Sequence, residues 1–488
     1  MNILHGMIRV WKALQGYPLR PPAAPVLSGE AGDTVNTLEW DAVPGASSYK
    51  LYWALTSPVT KGDNVLNSVT SPFEHTGRTN GVTYYYRATA SSFRGESELS
   101  NEVELTPAAA QPKGLFTWGY NSSGQLGLGD ISNRSSPVQV GSGTDWASSA
   151  GKLTGHSNNG SRGIHAIKTG GTLWSWGYNG EGELGLGDTS HRSSPVQVGS
   201  GTDWSVVAAG QVGSSGAVVG AIKTGGTLWT WGSYGGGASK ATAAMFGRGP
   251  IGYENFSNPV QVGALNDWSK LVATFGSMLS IKTDGTLWGW GYNGSGELGL
   301  GDRTLRSSPA QIGSGTDWSY ITGGIWNPCF FAIKSDHTLW AVGSDPLAYG
   351  VLGLGDIVSR SSWTQVGSLL DWAVVSSTGH STLAIKTDGT LWGWGSNFNG
   401  ELGLGNRNKY SSPMQVGSLL TWAKIICGGA VAYAIKNDGT LWAWGANLYG
   451  ELGLGDITPR SSPVQVGSGT NWLNLAGACS NYVAGIRG

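Results

Sequence analysis

Apolar positions along this chain come in short bursts. From about residue 114 onward, runs of four to seven residues alternate in polarity and are separated by Gly, Asp, Asn or Ser. That is the pattern of half-buried β-strands joined by tight turns. The bursts recur in a fixed order. An Asp-Trp pair opens an apolar run, as in DWSVVAAG at 203–210, and a second run ends in Ala-Ile-Lys and a turn, as in LAIKTDGT at 383–390. LWGWG follows at 391–395, then a Leu-Gly-Leu-Gly-Asp loop, then Ser-Ser-Pro-Val-Gln-Val-Gly. Four runs per unit predict four antiparallel strands, called A, B, C and D below.

The loop string sets the copy number. It stands at 126–130, 184–188, 298–302, 352–356, 402–406 (ending in Asn) and 452–456, with a degenerate copy, MFGRG, at 245–249. These seven copies are 50 to 62 residues apart. Tandem four-stranded units of this length predict the blades of a propeller. The first unit begins at strand C (114–119), and the final run, 481–488, matches strand B. The expectation is therefore an all-β chain: a seven-bladed β-propeller of four-stranded antiparallel blades, closed by its N- and C-terminal strands and leaving no free sheet edge.

The run GHSTLAIKTDGTLWGWGSNFNGELGLG at 379–405, with its weaker copies, resembles the regulator of chromosome condensation repeat family. The resemblance covers about residues 114–488 and implies the seven-bladed fold. It implies no single function, because the family includes exchange factors and adaptors. Its exchange factor acts on the small GTPase Ran through a wedge-like insertion. No matching wedge sequence stands here, so no catalytic residue is carried over.

Residues 21–107 lack the repeat. LEWDAVPGASSYKLYW (38–53), TYYYRATASS (83–92) and SELSNEVEL (97–105) read as strands of a β-sandwich. They resemble a fibronectin type III domain, with Trp40 and Tyr84–Tyr86 at core positions and no cysteine pair. Residues 1–20 are expected to be a leader or a short docking helix, and 108–113 a linker.

Composition narrows the function. Eighty Gly and 24 Trp suit many turns and strands, while only 12 % of residues are charged and the net charge is −1. No basic excess points to nucleic acid, and no run is long enough to span a membrane. The three cysteines and seven histidines show no metal-ligand spacing. GRGPIG at 247–252 fits a dinucleotide-binding string but opens no helix. No enzyme, cofactor or metal site is expected. Two repeated charge sets remain: the lysines closing strand B (Lys168, Lys223, Lys282, Lys334, Lys386, Lys436, with Arg487), and arginines four residues after the loop carboxylates. Local pairing with neighbouring Asp is the expectation for both.

In a repeat protein the invariant positions build the fold, so binding is sought where copies diverge. The B–C and D–A connections are near-uniform and are expected to offer only short polar side chains. The A–B and C–D connections, on the opposite face, are irregular. They contribute Tyr234, Met245, Phe246, Arg248, Tyr253, Phe256, Trp326 and Tyr349 as candidate binding residues, of types favoured in interfaces. The reading that follows is a non-enzymatic binding protein, virion-associated or extracellular, presenting this face to a protein or surface glycan. Residues 1–107 would then meet other virion proteins. The alternatives are a cytoplasmic adaptor scaffold and, behind it, a nucleotide exchange factor.

Overall fold

The computed structural model describes residues 20–108, 113–157, 162–212, 216–233, 244–249, 254–324, 326–479 and 482–488. The chain divides into two compact units, 1–111 and 112–488. The expected leader or docking helix at 1–20 lies, but for Arg20, outside the described residues.

The first unit is a two-sheet sandwich. Strands Ser28–Ala31, Val35–Glu39 and Phe73–Thr76 form one sheet; Ser48–Ala54, Asn64–Val69, Tyr84–Ser92, Gly95–Glu96 and Val103–Leu105 form the other. Leu38, Trp40, Leu51, Tyr84, Tyr86 and Leu105 are buried together in its core, where Trp40 and the tyrosines were expected.

Among its described residues the second unit holds seven four-stranded antiparallel sheets, each ordered A-B-C-D. Blade 1 is split between the chain ends. Its strands A (Trp472–Cys479) and B (Tyr482–Arg487) are C-terminal, whereas C (Gly114–Gly119) and D (Arg134–Gln139) open the unit. Arg487 pairs with Gly114 and Tyr482 with Gly119, the register that the closing strands require. Blades 2 to 7 follow in order, with A strands beginning at Leu153, Trp204, Trp268, Trp318, Trp372 and Trp422. Each A strand packs on the next, and that of blade 1 packs on that of blade 2. All seven contribute residues to one central channel of about 400 Å³. Strand D carries a proline in most blades, at Pro137, Pro195 and Pro259 for example. Strand D ends its sheet, and its outer edge accepts from the C–D loop of the preceding blade, as where Gly129 N donates to Ser193 O at 2.7 Å, so the missing proline N–H costs no strand-ladder bond there.

Tryptophan joins blade to blade. The second Trp of strand C is fully buried, and its Nε1 donates to a carbonyl in the C–D loop of the preceding blade. Trp176 reaches Gln125 at 2.9 Å, Trp231 reaches Glu183 at 3.0 Å and Trp444 reaches Glu401 at 2.9 Å. The first Gly of the loop string makes room for that ring. A Cβ on Gly127, at φ +71°, would stand 2.7 Å from Trp176 Nε1. Blade 5 departs from the rule: strand C has Val342 in place of the indole, and strand D has Trp363 where other blades have proline. Trp363 fills the vacated slot, against Gly299 of the preceding loop.

Candidate functional site

Most of the repeated charges pair locally. Lys168, Lys223, Lys282, Lys334 and Lys386 pair with the Asp of the Asp-Trp motif at 2.9–3.2 Å. Each ammonium also sits over two indoles, as Lys386 does over Trp372 and Trp392. The C–D loop arginines pair with Asp130, Asp188, Asp302, Asp356 and Asp456 at 2.5–2.7 Å. Blade 7 has Thr421 at the motif Asp, and blade 1 has Asn471, which accepts from Arg487 Nε at 2.6 Å.

The candidate residues separate into three groups. Tyr234 and Tyr253 lie outside the described residues. Met245 and Phe246 are fully buried, which removes them as contact residues. They occupy the register held elsewhere by a buried Glu and Leu of the loop string, and Met245 supplies the carbonyl that accepts from Trp290 Nε1 at 2.9 Å. Arg248 and Phe256 are tied to the same packing. The guanidinium lies 4.2 Å from the Phe256 ring centroid and donates to Thr230, and burial lowers its pKa to about 10. These four read as deviations in sequence but perform the loop's ordinary structural task.

Trp326 and Tyr349 are half-buried and brought together. Trp326 lies in the A–B loop of blade 5 and Tyr349 in its C–D loop; His380, from the A–B loop of blade 6, sits between them. The His380 ring is parallel to Trp326, 10° between planes at 6.5 Å, and meets Tyr349 edge-on at 5.6 Å. Tyr349 also meets Phe398 of the blade 6 C–D loop at 5.5 Å, and Phe398 is 58 % exposed. Backbone bonds fix the seam: Trp326 N donates to Thr378 O at 2.8 Å and Asn327 Nδ2 to Gly379 O at 2.9 Å. Buried Asp345 accepts from the N–H groups of Tyr349 and Gly350 at 3.0 and 2.7 Å, which sets the Tyr349 loop. Burial pulls the His380 pKa below its usual value, partly offset by the Asp345 charge. His380 and Phe398 were missed because each sits inside an ordinary copy of the repeat; only adjacency between blades shows their role.

The aromatic character continues along this face. Tyr120 of blade 1 meets Tyr449 of blade 7 at 5.0 Å, with the Arg162 guanidinium 4.8 Å from the Tyr120 ring and Leu448 exposed beside them. The opposite face corrects the expectation of short polar side chains. Leu369, Leu370, Leu419 and Leu420, in the D–A loops entering blades 6 and 7, are exposed. No helix among the described residues is long and apolar enough to cross a membrane.

Residues 114–150, 170–214, 284–326, 388–435 and 438–479 match the regulator of chromosome condensation (RCC1) repeat, and 373–401 match a second form of it. The propeller unit carries RCC1 repeats. The RCC1 propeller is similar to the ultraviolet-B receptor UVR8 of Arabidopsis thaliana, 28 % identical over 295 residues, 59 % of this chain and 62 % of that one. It is also similar to the mitochondrial RCC1 domain-containing protein RUG3 of the same plant, 29 % identical over 241 residues, 48 % of this chain and 52 % of that one. The chain thus spans between half and two thirds of these relatives. Prp20p of Saccharomyces cerevisiae shares the RCC1 fold at a TM-score of 0.64 and 16 % identity, over 78 % of this chain and 92 % of that one.

Proposed function

We propose that the RCC1 propeller is a non-enzymatic, protein-binding adaptor that engages its partner through the A–B/C–D face. The observation that carries this reading is the Trp326–His380–Tyr349–Phe398 cluster. It joins the irregular A–B and C–D loops of blade 5 to the corresponding loops of blade 6 and leaves the Phe398 ring exposed. Rigid aromatic side chains of this kind supply contact area at low entropic cost. The relatives favour the intracellular adaptor over a virion or adhesion role: one is a mitochondrial protein, and the Prp20p structure is described with its binding properties to Gsp1p and histones. They give no support to a glycan or virion partner. The fibronectin-like character of residues 21–107 stays part of the proposal as a second attachment module.

The test is proximity labelling with the full chain, comparing wild type with Tyr349→Ala and Phe398→Ser at matched thermal stability. Loss of the same labelled proteins in both variants supports the reading. Labelling unchanged in both, or reproduced by residues 1–107 alone, overturns it. Nucleotide release from a small GTPase, dependent on the propeller, would promote the exchange-factor alternative.

A further inference from the structure

The C–D loop of blade 6 breaks the charge pattern of the repeat, and it does so beside the aromatic cluster. In five other blades this loop closes on an Asp and an Arg four residues later, which pair with each other. Blade 6 has Asn406 and Tyr410 at those two positions, joined by a neutral bond from Asn406 Nδ2 to the Tyr410 hydroxyl at 3.3 Å. Between them stand Arg407 and Lys409, both exposed. Among the described residues no carboxylate forms an ion pair with either. The loop does not need them for its shape: Asn397 Nδ2 bonds to Asn406 O at 3.0 Å, as Asn447 Nδ2 does to Asp456 O in blade 7.

The contacts place both cations at the seam of blades 5 and 6. Lys409 Nζ donates at 3.1 Å to the carbonyl of Ala348, which stands between exposed Leu347 and half-buried Tyr349. Arg407 follows Asn406, the partner of Asn397, and Asn397 precedes the exposed Phe398 that meets Tyr349. The acidic groups of these loops do not answer the two charges. Asp345 and Glu401 are buried and spend their oxygens on N–H and hydroxyl donors, while Asp356 is paired with Arg360 and Asp456 with Arg460.

We infer that this seam binds an acidic segment of a partner protein, which lays an apolar side chain on Phe398 and Leu347 and sets carboxylates against Arg407 and Lys409. The inference rests on the adaptor reading of the same face and names the chemistry of its partner. The apolar anchor supplies affinity. The unpaired cations supply fast encounter and discriminate against basic partners, and a guanidinium holds a carboxylate through two parallel bonds.

Peptides selected from a randomised display library against the full chain test this. Enriched sequences should combine Asp or Glu with an aromatic or aliphatic residue. By fluorescence anisotropy, a selected peptide should bind about tenfold or more weakly to Arg407→Gln, Lys409→Gln and Phe398→Ser, each melting as wild type does. Gln at 409 keeps a donor toward Ala348 O, so loss there reports the charge. Arg303→Gln, in the C–D loop of blade 4, should bind as wild type, and affinity should fall as salt rises. Peptides that need Phe398 but bind Arg407→Gln and Lys409→Gln as they bind wild type would overturn the acidic partner and leave the adaptor reading standing. Enrichment of basic or uncharged sequences would do the same. No enrichment, or binding that ignores all three substitutions, also overturns the inference; the labelling comparison of Tyr349→Ala and Phe398→Ser then decides the adaptor reading separately.

Discussion

The indole nitrogen of Trp118 donates to the carbonyl of Glu451 at 2.8 Å, although 333 residues separate them in the chain. The bond is the same blade-to-blade latch that Trp176 makes to Gln125, here formed where the chain ends meet. It works only if strand B of blade 1 holds strand C in place. Deleting 482–488 should therefore lower the melting temperature of the whole propeller and broaden its transition, read by calorimetry. Trp118→Ala should cost about 3–5 kcal/mol, and Trp118→Phe about 1 kcal/mol, the worth of one hydrogen bond. A truncated chain melting like the intact one would show that closure carries no stability.

Blade 5 contains a coupled exchange. Trp363 packs against Trp318, centroids 5.3 Å apart and planes 50° apart, and fills the slot that Val342 leaves empty. Val342→Trp alone would overfill that slot and should cost about 1–3 kcal/mol. Trp363→Pro alone should leave a cavity and cost about 3–5 kcal/mol. The double variant restores the common repeat and should recover much of both losses. A double-mutant cycle by urea unfolding measures this coupling, and additive costs would rule the exchange out.

Glu297 is buried in a C–D loop, where it accepts from Ser295 N at 2.9 Å, and burial raises its pKa to about 7. A carboxyl whose folded pKa lies above its unfolded value contributes most below the unfolded pKa, and that contribution is lost as pH rises through 7. Gln125 makes the same bond at 2.9 Å to Ser123 N without a charge. Glu297→Gln should thus stabilise the chain by about 1–3 kcal/mol at pH 8 and have little effect near pH 4.5. Urea midpoints across that range check it.

His156 and His165 are fully buried in blade 2, with ring centroids 5.5 Å apart. Burial lowers the His156 pKa to about 4 and holds His165 well below its ordinary value, with His156 adding to the effect. The unfolded imidazoles take up protons near pH 6.5 and the folded ones do not, so stability falls as pH drops from 6.5 toward 4. His165→Phe should flatten that slope in melting scans from pH 7.5 to 5. An unchanged slope would place the acid sensitivity elsewhere, for example on His75 of the first unit, whose pKa burial also lowers to about 4.

Much of the architecture was legible because the physics is local and repeated. Alternating apolar runs define strands, and seven loop strings count blades. The matching of 481–488 to a strand B without a strand C named the closing pair before Arg487 was seen opposite Gly114. Lysine–aspartate pairing was legible for the same reason: each pair lies within one blade. The candidate site was legible only in part. Trp326 and Tyr349 were found as deviations, but Met245 and Phe246, also deviations, proved to be core residues.

The sequence by itself determined the strand order, the blade count and the partners inside each blade, since these depend on spacing along one repeat. Only the tertiary structure decided which residues of different blades share a surface. His380 faces Trp326 and Tyr349, and Trp363 replaces a missing indole. Each relationship depends on how one sheet is placed against its neighbours. That placement comes from interlocking side chains across every blade seam, and no single repeat encodes it.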